Sequence, residues 1–252
     1  MREKIEEIIR EAGALIRERF YLDKLITTKS TGIDLVTETD KEVELFLKAR
    51  LGKLIPTSAF WAEETDSKFT KAEYLWIIDP IDGTTNFVHQ FPFVCISVAL
   101  QHDGRTIYGF VYNPILEEFF IAEKGRGAYR NGKRIYVSET RELSSCLMAT
   151  GFPYDYKAEP NNMSHFDRMM EHVQGIRRPG SAALDLCYTA AGIFNGYWEF
   201  HLQPWDMAAG ILIVQEADGV VLNTDGEEHH LTDKGLISGN KIIVEKMLEV
   251  FK

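Results

Sequence analysis

The stretch WIIDPIDGTTNF, residues 76–87, ends an apolar run on two aspartates that lie three positions apart. Asp79 closes the run, Pro80 cannot donate a ladder hydrogen bond, and Asp82 follows. Both carboxylates can therefore turn toward the same space beyond the end of a buried strand. Gly83 lets the backbone approach a ligand, and the Thr-Thr-Asn that follows is suited to opening a helix whose N–H groups attract anions.

Carboxylates beside an anion-binding helix terminus repel a phosphate unless cations lie between them. Mg²⁺ satisfies both sides, because it takes oxygen ligands from carboxylates and from phosphate groups. Asp and Gly are also the commonest residues of surface turns, so this stretch alone leaves an ordinary turn open.

Other acidic residues also stand at the ends of predicted elements. FWAEET places Glu63 and Glu64 at the end of an apolar strand, and PWDMAAG places Asp206 at the start of a helix, where a single Asp is usually a cap. Together with Asp79 and Asp82 they favour a metal cluster over scattered solvated charges, because sheet-based sites collect at strand ends.

Composition limits the classes of partner. The 252 residues are 45% apolar, enough for a sizeable core. The net charge of −10 argues against nucleic acid or an anionic membrane as a partner, since both require clustered Lys and Arg. Three widely spaced cysteines fit reduced core thiols. Neither a signal-type apolar core nor a run of about 20 apolar residues occurs, so a cytoplasmic location is the default expectation.

The order of elements predicts layered helices and sheets. Residues 1–20 have helical periodicity, a second helix ends before Pro56, and residues 58–137 read as a multi-stranded antiparallel sheet with a hairpin at Asn131-Gly132. The second half alternates strands and helices, with one helix capped by Ser181 and another beginning at an Asp206 cap. We expect one compact domain over 1–252, with a soft division near 145.

The ordered motifs AEE, WIIDPIDGTTNFVH and PWDMAAGILIVQEADG, with DLVTETD upstream and GSAA between, resemble the inositol monophosphatase family of lithium-sensitive, metal-dependent phosphatases. The resemblance spans nearly the whole chain. It implies an αβαβα five-layer sandwich of the inositol monophosphatase and fructose-1,6-bisphosphatase type, usually a homodimer, with two or three Mg²⁺ ions per active site. One departure is Asp218 in EADG, where the family pattern has Gly.

The resemblance also implies roles for individual residues. Glu63, Asp79 and the carbonyl of Ile81 match the ligands of a first metal ion, and Asp79, Asp82 and Asp206 match those of a second. Thr84 and Asp40 match the pair that orients and deprotonates the attacking water, with Glu63 counted among the catalytic residues. On this basis residues 1–145 form the metal- and phosphate-binding half and 146–252 the substrate-pocket half.

On the substrate side, the backbone N–H groups of Gly83 and Thr84 match a phosphate-binding pair. Glu199 matches an acidic residue that binds cyclitol or sugar hydroxyls, although on an amphipathic strand it could equally face solvent. Further matches are the pocket segment Gly180, Ser181 and Ala182, and the loop residues Lys29 and Glu64, of which Lys29 could equally be a solvated charge.

The leading hypothesis is hydrolysis of inositol 1-phosphate by a metal-activated water without a covalent intermediate. Alternatives on the same scaffold are phosphatases of fructose 1,6-bisphosphate or other sugar phosphates, of histidinol phosphate, and of nucleotides. DPIDGT also resembles the DxDGT box of haloacid dehalogenases, whose first Asp is phosphorylated, but here the aspartates are three apart instead of two. A non-enzymatic alternative is a regulatory partner of the RNA-synthesis machinery, a role that some bacterial members of the family have.

Overall fold

The structure is a computed structural model that describes residues 1–22, 26–28, 35–153, 162–233 and 235–252. Its α-helices are α1 Arg2–Phe20, α2 Glu38–Leu54, α3 Thr84–Val88, α4 Asn162–Met170, α5 Ala182–Ala190, α6 Pro204–Glu216 and α7 Lys241–Phe251, with a 3-10 turn at Leu143–Ser145. Its strands are β1 Ile26–Thr28, β2 Leu35–Thr37, β3 Ala59–Ala62, β4 Tyr74–Asp82, β5 Cys95–His102, β6 Arg105–Asn113, β7 Glu118–Glu123, β8 Gly127–Arg130, β9 Lys133–Arg134, β10 Leu147–Thr150, β11 Gly175–Arg177, β12 Gly196–Phe200, β13 Val220–Leu222 and β14 Gly235–Gly239.

A seven-stranded sheet with strand order β3-β4-β5-β6-β7-β8-β9 carries the first half of the chain. All its neighbours pair antiparallel except β3 and β4, which are parallel, so the expectation of a wholly antiparallel sheet is wrong at this edge. Both faces of the sheet are buried. In β4, Trp76 and Ile78 pack on the side of α1 and α2, whereas Leu75 and Ile77 pack on the side of α5 and α6. The alternation follows from the period of two along a strand.

Helices α5 and α6 form a central layer between the two sheets. Nearly every residue of α6 from Pro204 to Val214 is buried, Asp206 being the exception, because α6 packs on β5, β6 and β7 on one side and on β13 on the other. A helix that is apolar all round can be stable only when it is covered on every side.

The second sheet has strand order β11-β10-β12-β14-β13 and mixes parallel with antiparallel pairs. Helices α4 and α7 cover its outer face through a core that includes Met148, Trp198 and Met247. The layers therefore run α1/α2, first sheet, α5/α6, second sheet, α4/α7, and the predicted αβαβα sandwich is confirmed. The chain passes from the first sheet to the second between β9 and β10, near the predicted division at 145. The single-domain assignment itself stays a prediction.

Local turn chemistry matches the sequence. Asn131 and Gly132 both have positive φ, 48° and 77°, and link β8 to β9 in a two-residue hairpin of the type that this pair favours. Asp218 also has positive φ, 62°, so this aspartate accommodates the turn in which the family pattern has glycine. Cys95, Cys146 and Cys187 are buried free thiols, as predicted. None of the helices in the described ranges has the length and apolar character needed to cross a membrane.

Gly109 on β6 sets the distance between the first sheet and α6. A Cβ at this position would lie 2.6 Å from the carbonyl oxygen of Ala209. We expect Gly109→Ala to lower the free energy of unfolding by about 1–3 kcal/mol, the usual cost of overpacking, as measured by urea denaturation. Gly52→Ala in α2 is the matched control, because its Cβ would meet only the Phe60 ring at 3.5 Å. We expect it to be neutral or to stabilise by up to about 1 kcal/mol. Equal effects of the two substitutions would contradict the close approach at Gly109.

Candidate active site

Asp79 and Asp82 lie at a bulge where β4 leaves its partner β5. The pairing jumps from Asp79 opposite Ser97 to Asp82 opposite Cys95, so that two residues of β4 face one of β5. Asp79 is 2% exposed, and its Oδ1 accepts a hydrogen bond of 3.0 Å from the backbone N–H of Ile81. The bulge turns the end of the strand and brings both carboxylates to the edge of one cavity.

Gly83 continues this corner in the left-handed conformation, with φ of 96°. A Cβ here would lie 3.0 Å from the carbonyl oxygen of Phe93 and 3.2 Å from that of Gly180, so both the backbone angle and the packing favour glycine. The short α3 follows, as predicted. The Asn86 side chain donates to the carbonyls of Phe93 and Pro179, both at 2.8 Å, and so fastens α3 to the segment before α5.

The predicted water-activating pair is brought together from two helices. The Thr84 hydroxyl lies 3.0 Å from Oδ1 of Asp40 and 3.2 Å from the carbonyl oxygen of Ile81, and it can donate to either. Asp40 is fully buried, and its Oδ2 accepts from the backbone N–H and the hydroxyl of Thr37 at 2.9 and 2.5 Å. The bond from the Thr37 N–H is one half of the capping box at the start of α2, and the bond from the Asp40 N–H to the Thr37 side chain is the other, so the helix cap also orients Asp40 toward Thr84.

Asp82 is held by the start of α5. Its Oδ2 accepts from the Ser181 hydroxyl and from the backbone N–H of Ala183, both at 2.7 Å, while the Cys95 thiol lies 3.9 Å away. Burial raises the pKa of Asp82 to about 6, even though these donors lower it. Ser181 was expected to cap α5, and it does, because its Oγ also accepts from the backbone N–H of Leu184.

Asp206 lies in the first turn of α6 but is not its cap. Gln203 is the N-cap residue, and its backbone N–H donates to Oδ2 of Asp206 at 2.7 Å. The prediction that α6 begins at an Asp206 cap is therefore wrong by three positions. Burial raises the pKa of Asp206 well above its ordinary value, and the nearby carboxylates of Asp82 and Glu63 raise it further.

Glu199 on β12 adds a further carboxyl to the cavity. Its Oε2 accepts from the Tyr197 hydroxyl at 2.5 Å, and both residues stand on the same face of the strand. A Cβ on Gly151 would lie 2.1 Å from the Glu199 carboxyl, which therefore fills the space above that glycine. Glu199 is partly buried and lines the cavity.

The environment of Glu199 raises the pKa of its carboxyl. Burial raises the pKa of Glu199 to about 7, the Tyr197 hydrogen bond lowers it, Asp82 raises it, and Arg178 lowers it. Arg178 is an exposed residue that also lines the cavity, and the sequence reasoning missed it. Arg178 could have been predicted to lie near the cavity, because it directly precedes the segment Pro179–Ala182.

Most of these groups line a cavity of about 450 Å³. The predicted site residues that line it are Glu63, Asp79, Ile81, Asp82, Gly83, Thr84, Gly180, Ser181, Ala182, Glu199 and Asp206. Asp40 lies behind Thr84, and Glu64 is tied to α2 through its backbone N–H instead of lining the cavity. Lys29 lies outside the described residues. The structure thus brings together carboxylates from β4, α6, β12 and the turn after β3.

The carboxylate oxygens in this cavity are suitable ligands for a hard divalent cation. Burial raises the pKa values of Asp82 and Asp206, the carboxylates of Asp82 and Glu63 raise that of Asp206 further, and a bound cation would stabilise the charged forms. No group of three or more acidic, histidine or cysteine side chains within the described ranges is already arranged to hold a metal ion. The carboxylates instead accept bonds from N–H and O–H donors, namely those of Ile81, Ser181, Ala183 and Gln203.

The chain is similar in sequence and in fold to known proteins. The chain is 42% identical over 242 residues to inositol monophosphatase 2 of Solanum lycopersicum, covering 93% of this chain and 91% of the relative. It is 41% identical over 238 residues to the Nus factor SuhB of Pseudomonas aeruginosa, covering 92% and 88%. The solved structure of the Thermotoga maritima IMPase superposes with a TM-score of 0.90 at 36% identity, covering 97% of this chain and 93% of that one.

The family model described as "Inositol monophosphatase family" matches residues 1–252, the whole of the chain. Sequence, fold and family model agree, and the chain belongs to the inositol monophosphatase family.

Proposed function

We propose that the chain is a Mg²⁺-dependent phosphomonoesterase that hydrolyses inositol 1-phosphate to inositol and phosphate. The observation that carries the proposal is one cavity that combines buried carboxylates, the Thr84–Asp40 pair and Glu199. Membership of a family with relatives named as inositol monophosphatases supports the reaction class. We expect the protein to be a homodimer, and analytical ultracentrifugation measures its oligomeric state.

Two sets of oxygen ligands would hold the cations. Glu63, Asp79 and the carbonyl of Ile81 form one set, and Asp79, Asp82 and Asp206 form the other, with Asp79 shared. Bound Mg²⁺ would lower the pKa of water and stabilise negative charge on phosphate and on the leaving oxygen. We expect two or three ions in the working enzyme.

Thr84 and Asp40 would move the proton of the attacking water. When the Thr84 hydroxyl donates to Oδ1 of Asp40, the hydroxyl oxygen is left to accept a proton from water. The proton can then pass along this bond to the fully buried Asp40 carboxylate, whose other oxygen is already fixed by Thr37. Water would attack phosphorus in line, and no aspartyl-phosphate would form.

The remaining cavity residues would bind the substrate. Gly83, Thr84 and Glu199 all line the cavity; the backbone N–H groups of Gly83 and Thr84 would bind the phosphate, and Glu199 would bind hydroxyls of the leaving alcohol. The carboxyl has a fixed position, because Tyr197 bonds one oxygen and Gly151 leaves it room. A polyol phosphate therefore fits better than a phosphate on an apolar alcohol.

One assay compares the substrate alternatives. Purified protein with Mg²⁺, with and without lithium, is given inositol 1-phosphate, fructose 1,6-bisphosphate, histidinol phosphate and nucleoside monophosphates, and phosphate release is measured. We expect the highest kcat/KM for inositol 1-phosphate and inhibition by lithium. A higher value for another substrate would replace inositol 1-phosphate in the proposal and leave the reaction class intact.

A second role has one specific observation in its favour, the 41% identity to the Pseudomonas aeruginosa Nus factor SuhB. We propose association with the RNA-synthesis machinery as an additional function. A pull-down with the Asp79→Asn variant tests it, because a binding role does not need phosphatase activity. Stoichiometric recovery of RNA polymerase supports the role, and its absence from both wild-type and variant pull-downs contradicts it.

We expect EDTA to abolish phosphate release and Asp79→Asn to reduce kcat by about a hundredfold or more, since metal-ion stabilisation of a transition state is worth several kcal/mol. Asn keeps the volume and the oxygen that accepts from Ile81, so thermal unfolding checks that the fold is retained. Asp103→Asn is the matched control, because this carboxylate is 76% exposed on a turn. Activity that resists the chelator would overturn the metal-dependent mechanism.

Thr84→Val should lower kcat by about a hundredfold or more, because general acid–base groups contribute factors of this size. Thr84→Ser keeps the hydroxyl and should retain most of the activity. Both variants are measured by steady-state kinetics with saturating Mg²⁺. A Thr84→Val enzyme with wild-type kcat would exclude the hydroxyl from the proton path.

Glu199→Gln should raise KM for inositol 1-phosphate about tenfold, through the loss of hydrogen bonds to a charged group. It should leave hydrolysis of p-nitrophenyl phosphate, which has no polyol ring, nearly unchanged. An equal loss on both substrates would contradict a hydroxyl-binding role.

The same variant has a second readout in stability. Because burial raises the pKa of Glu199 from 4.5 to about 7, the folded protein binds a proton that the unfolded chain has lost. This contribution to the free energy of unfolding is therefore lost as pH rises from 4.5 to about 7, and Glu199→Gln should reduce that pH dependence in metal-free protein.

A further inference from the structure

Helix α2 directs three side chains, spaced four residues apart, toward the loops that carry the site. Asp40 contacts Thr84, as described above. One turn later, the Glu44 carboxyl accepts from the backbone N–H of Glu64 at 2.7 Å and from the hydroxyl of Thr65. After another turn, Lys48 donates to the Thr65 hydroxyl at 2.7 Å and pairs with Asp66. A spacing of four places all three on one helix face.

The buried Glu44 carboxyl connects α2 to the turn at residues 63–66. It has no solvent exposure, and both of its oxygens are used, Oε2 by Glu64 and Oε1 by Thr65. The Lys48 ammonium lies 4.0 Å from Oε1. Burial of an acidic side chain is costly unless it is hydrogen-bonded, and here every described donor belongs either to the 63–66 turn or to Lys48, which itself contacts that turn.

The 63–66 turn is thereby fixed on three sides. The backbone N–H of Ala62 donates to the carbonyl of Asp66 at 3.0 Å, and that of Glu63 donates to the carbonyl of Ile78 on β4 at 3.2 Å. Glu44 supplies the third support from α2. The fixed segment begins with Glu63, which lines the cavity and lies close enough to Asp206 to raise its pKa.

We propose that Glu44 is a positioning residue that sets the Glu63 carboxylate for metal binding. The inference rests on the proposed function, in which Glu63 is a metal ligand. Since Glu44 and Asp40 stand on one helix, α2 also fixes the distance between the metal ligand and the water-activating pair. Groups that orient the ligands of a metal typically change its affinity by about 10–100-fold when they are removed.

The test measures Mg²⁺ binding to purified protein by isothermal titration calorimetry. We expect Glu44→Ala to raise the Mg²⁺ Kd about tenfold or more. Glu44→Gln can still accept from Glu64 and donate to the Thr65 oxygen, so it should stay within about threefold of wild type. Glu42→Ala and Glu42→Gln are the matched controls, because Glu42 is exposed on the same helix and pairs with Arg19; both should bind as wild type.

Hydrogen exchange in metal-free protein gives a readout that is independent of activity. Glu44→Ala should speed exchange at the Glu64 amide and leave the β4–β5 amides protected. If Glu44→Ala fails to fold, Thr65→Ala takes its place. It removes one of the two hydrogen bonds that Glu44 accepts, at a residue that is exposed, and we expect it to raise the Mg²⁺ Kd as well. A wild-type Mg²⁺ Kd in folded Glu44→Ala protein would overturn the proposal. If that variant does not fold, a wild-type Kd in Thr65→Ala protein would overturn it.

Glu63→Gln separates this proposal from the proposed function. If Glu63→Gln weakens Mg²⁺ binding and Glu44→Ala does not, only the positioning role is overturned. If wild-type protein binds no Mg²⁺, the proposed function and the positioning role fall together.

Discussion

Repulsion between buried carboxylates is the interaction to which the rest of the site is adjusted. Asp206 at the start of α6 is partly desolvated, and the carboxylates of Asp82 at the end of β4 and of Glu63 after β3 disfavour its charge further. The fold opposes this repulsion with neutral donors, because the start of α5 supplies an N–H and a hydroxyl to Asp82 and the start of α6 supplies an N–H to Asp206. Two helix starts thus hold the carboxylates that a divalent cation would finally neutralise.

The apolar architecture explains how those helix starts reach the site. Helices α5 and α6 lie between two sheets, so their apolar bodies are covered and only their first turns reach the cavity. Gly109 and Gly210 allow close packing in this layer, since a side chain at either would collide with Ala209 or Leu186. The central layer therefore sets the positions of Asp206 and Ser181, and the bulge in β4 sets those of Asp79 and Asp82.

Local sequence patterns predicted much of the fold and most of the cavity lining, and they failed where the outcome depends on the path of the backbone or on a distant partner. The corner at Asp79 and Asp82 could be predicted because the end of the strand, the two aspartates and the glycine follow one another directly in the sequence. The parallel pairing of β3 with β4 was not, since strand direction depends on the path of residues 63–73 and not on composition. Asp206 was mistaken for a cap because the cap depends on which residue takes the extended backbone, and that residue is Gln203. Glu44 has partners 20 and 21 residues away, which no motif links to it.

The contact between Gly151 and Glu199 has a consequence for how this pocket can change over evolutionary time. A Cβ at position 151 would lie 2.1 Å from the Glu199 carboxyl, so a side chain there requires that carboxyl to move, and the two positions are coupled. Moving the carboxyl would break the hydrogen bond that it accepts from Tyr197. A side chain at position 151 is therefore easiest to acquire together with a shorter residue at 199, and we expect the glycine to persist where the glutamate does.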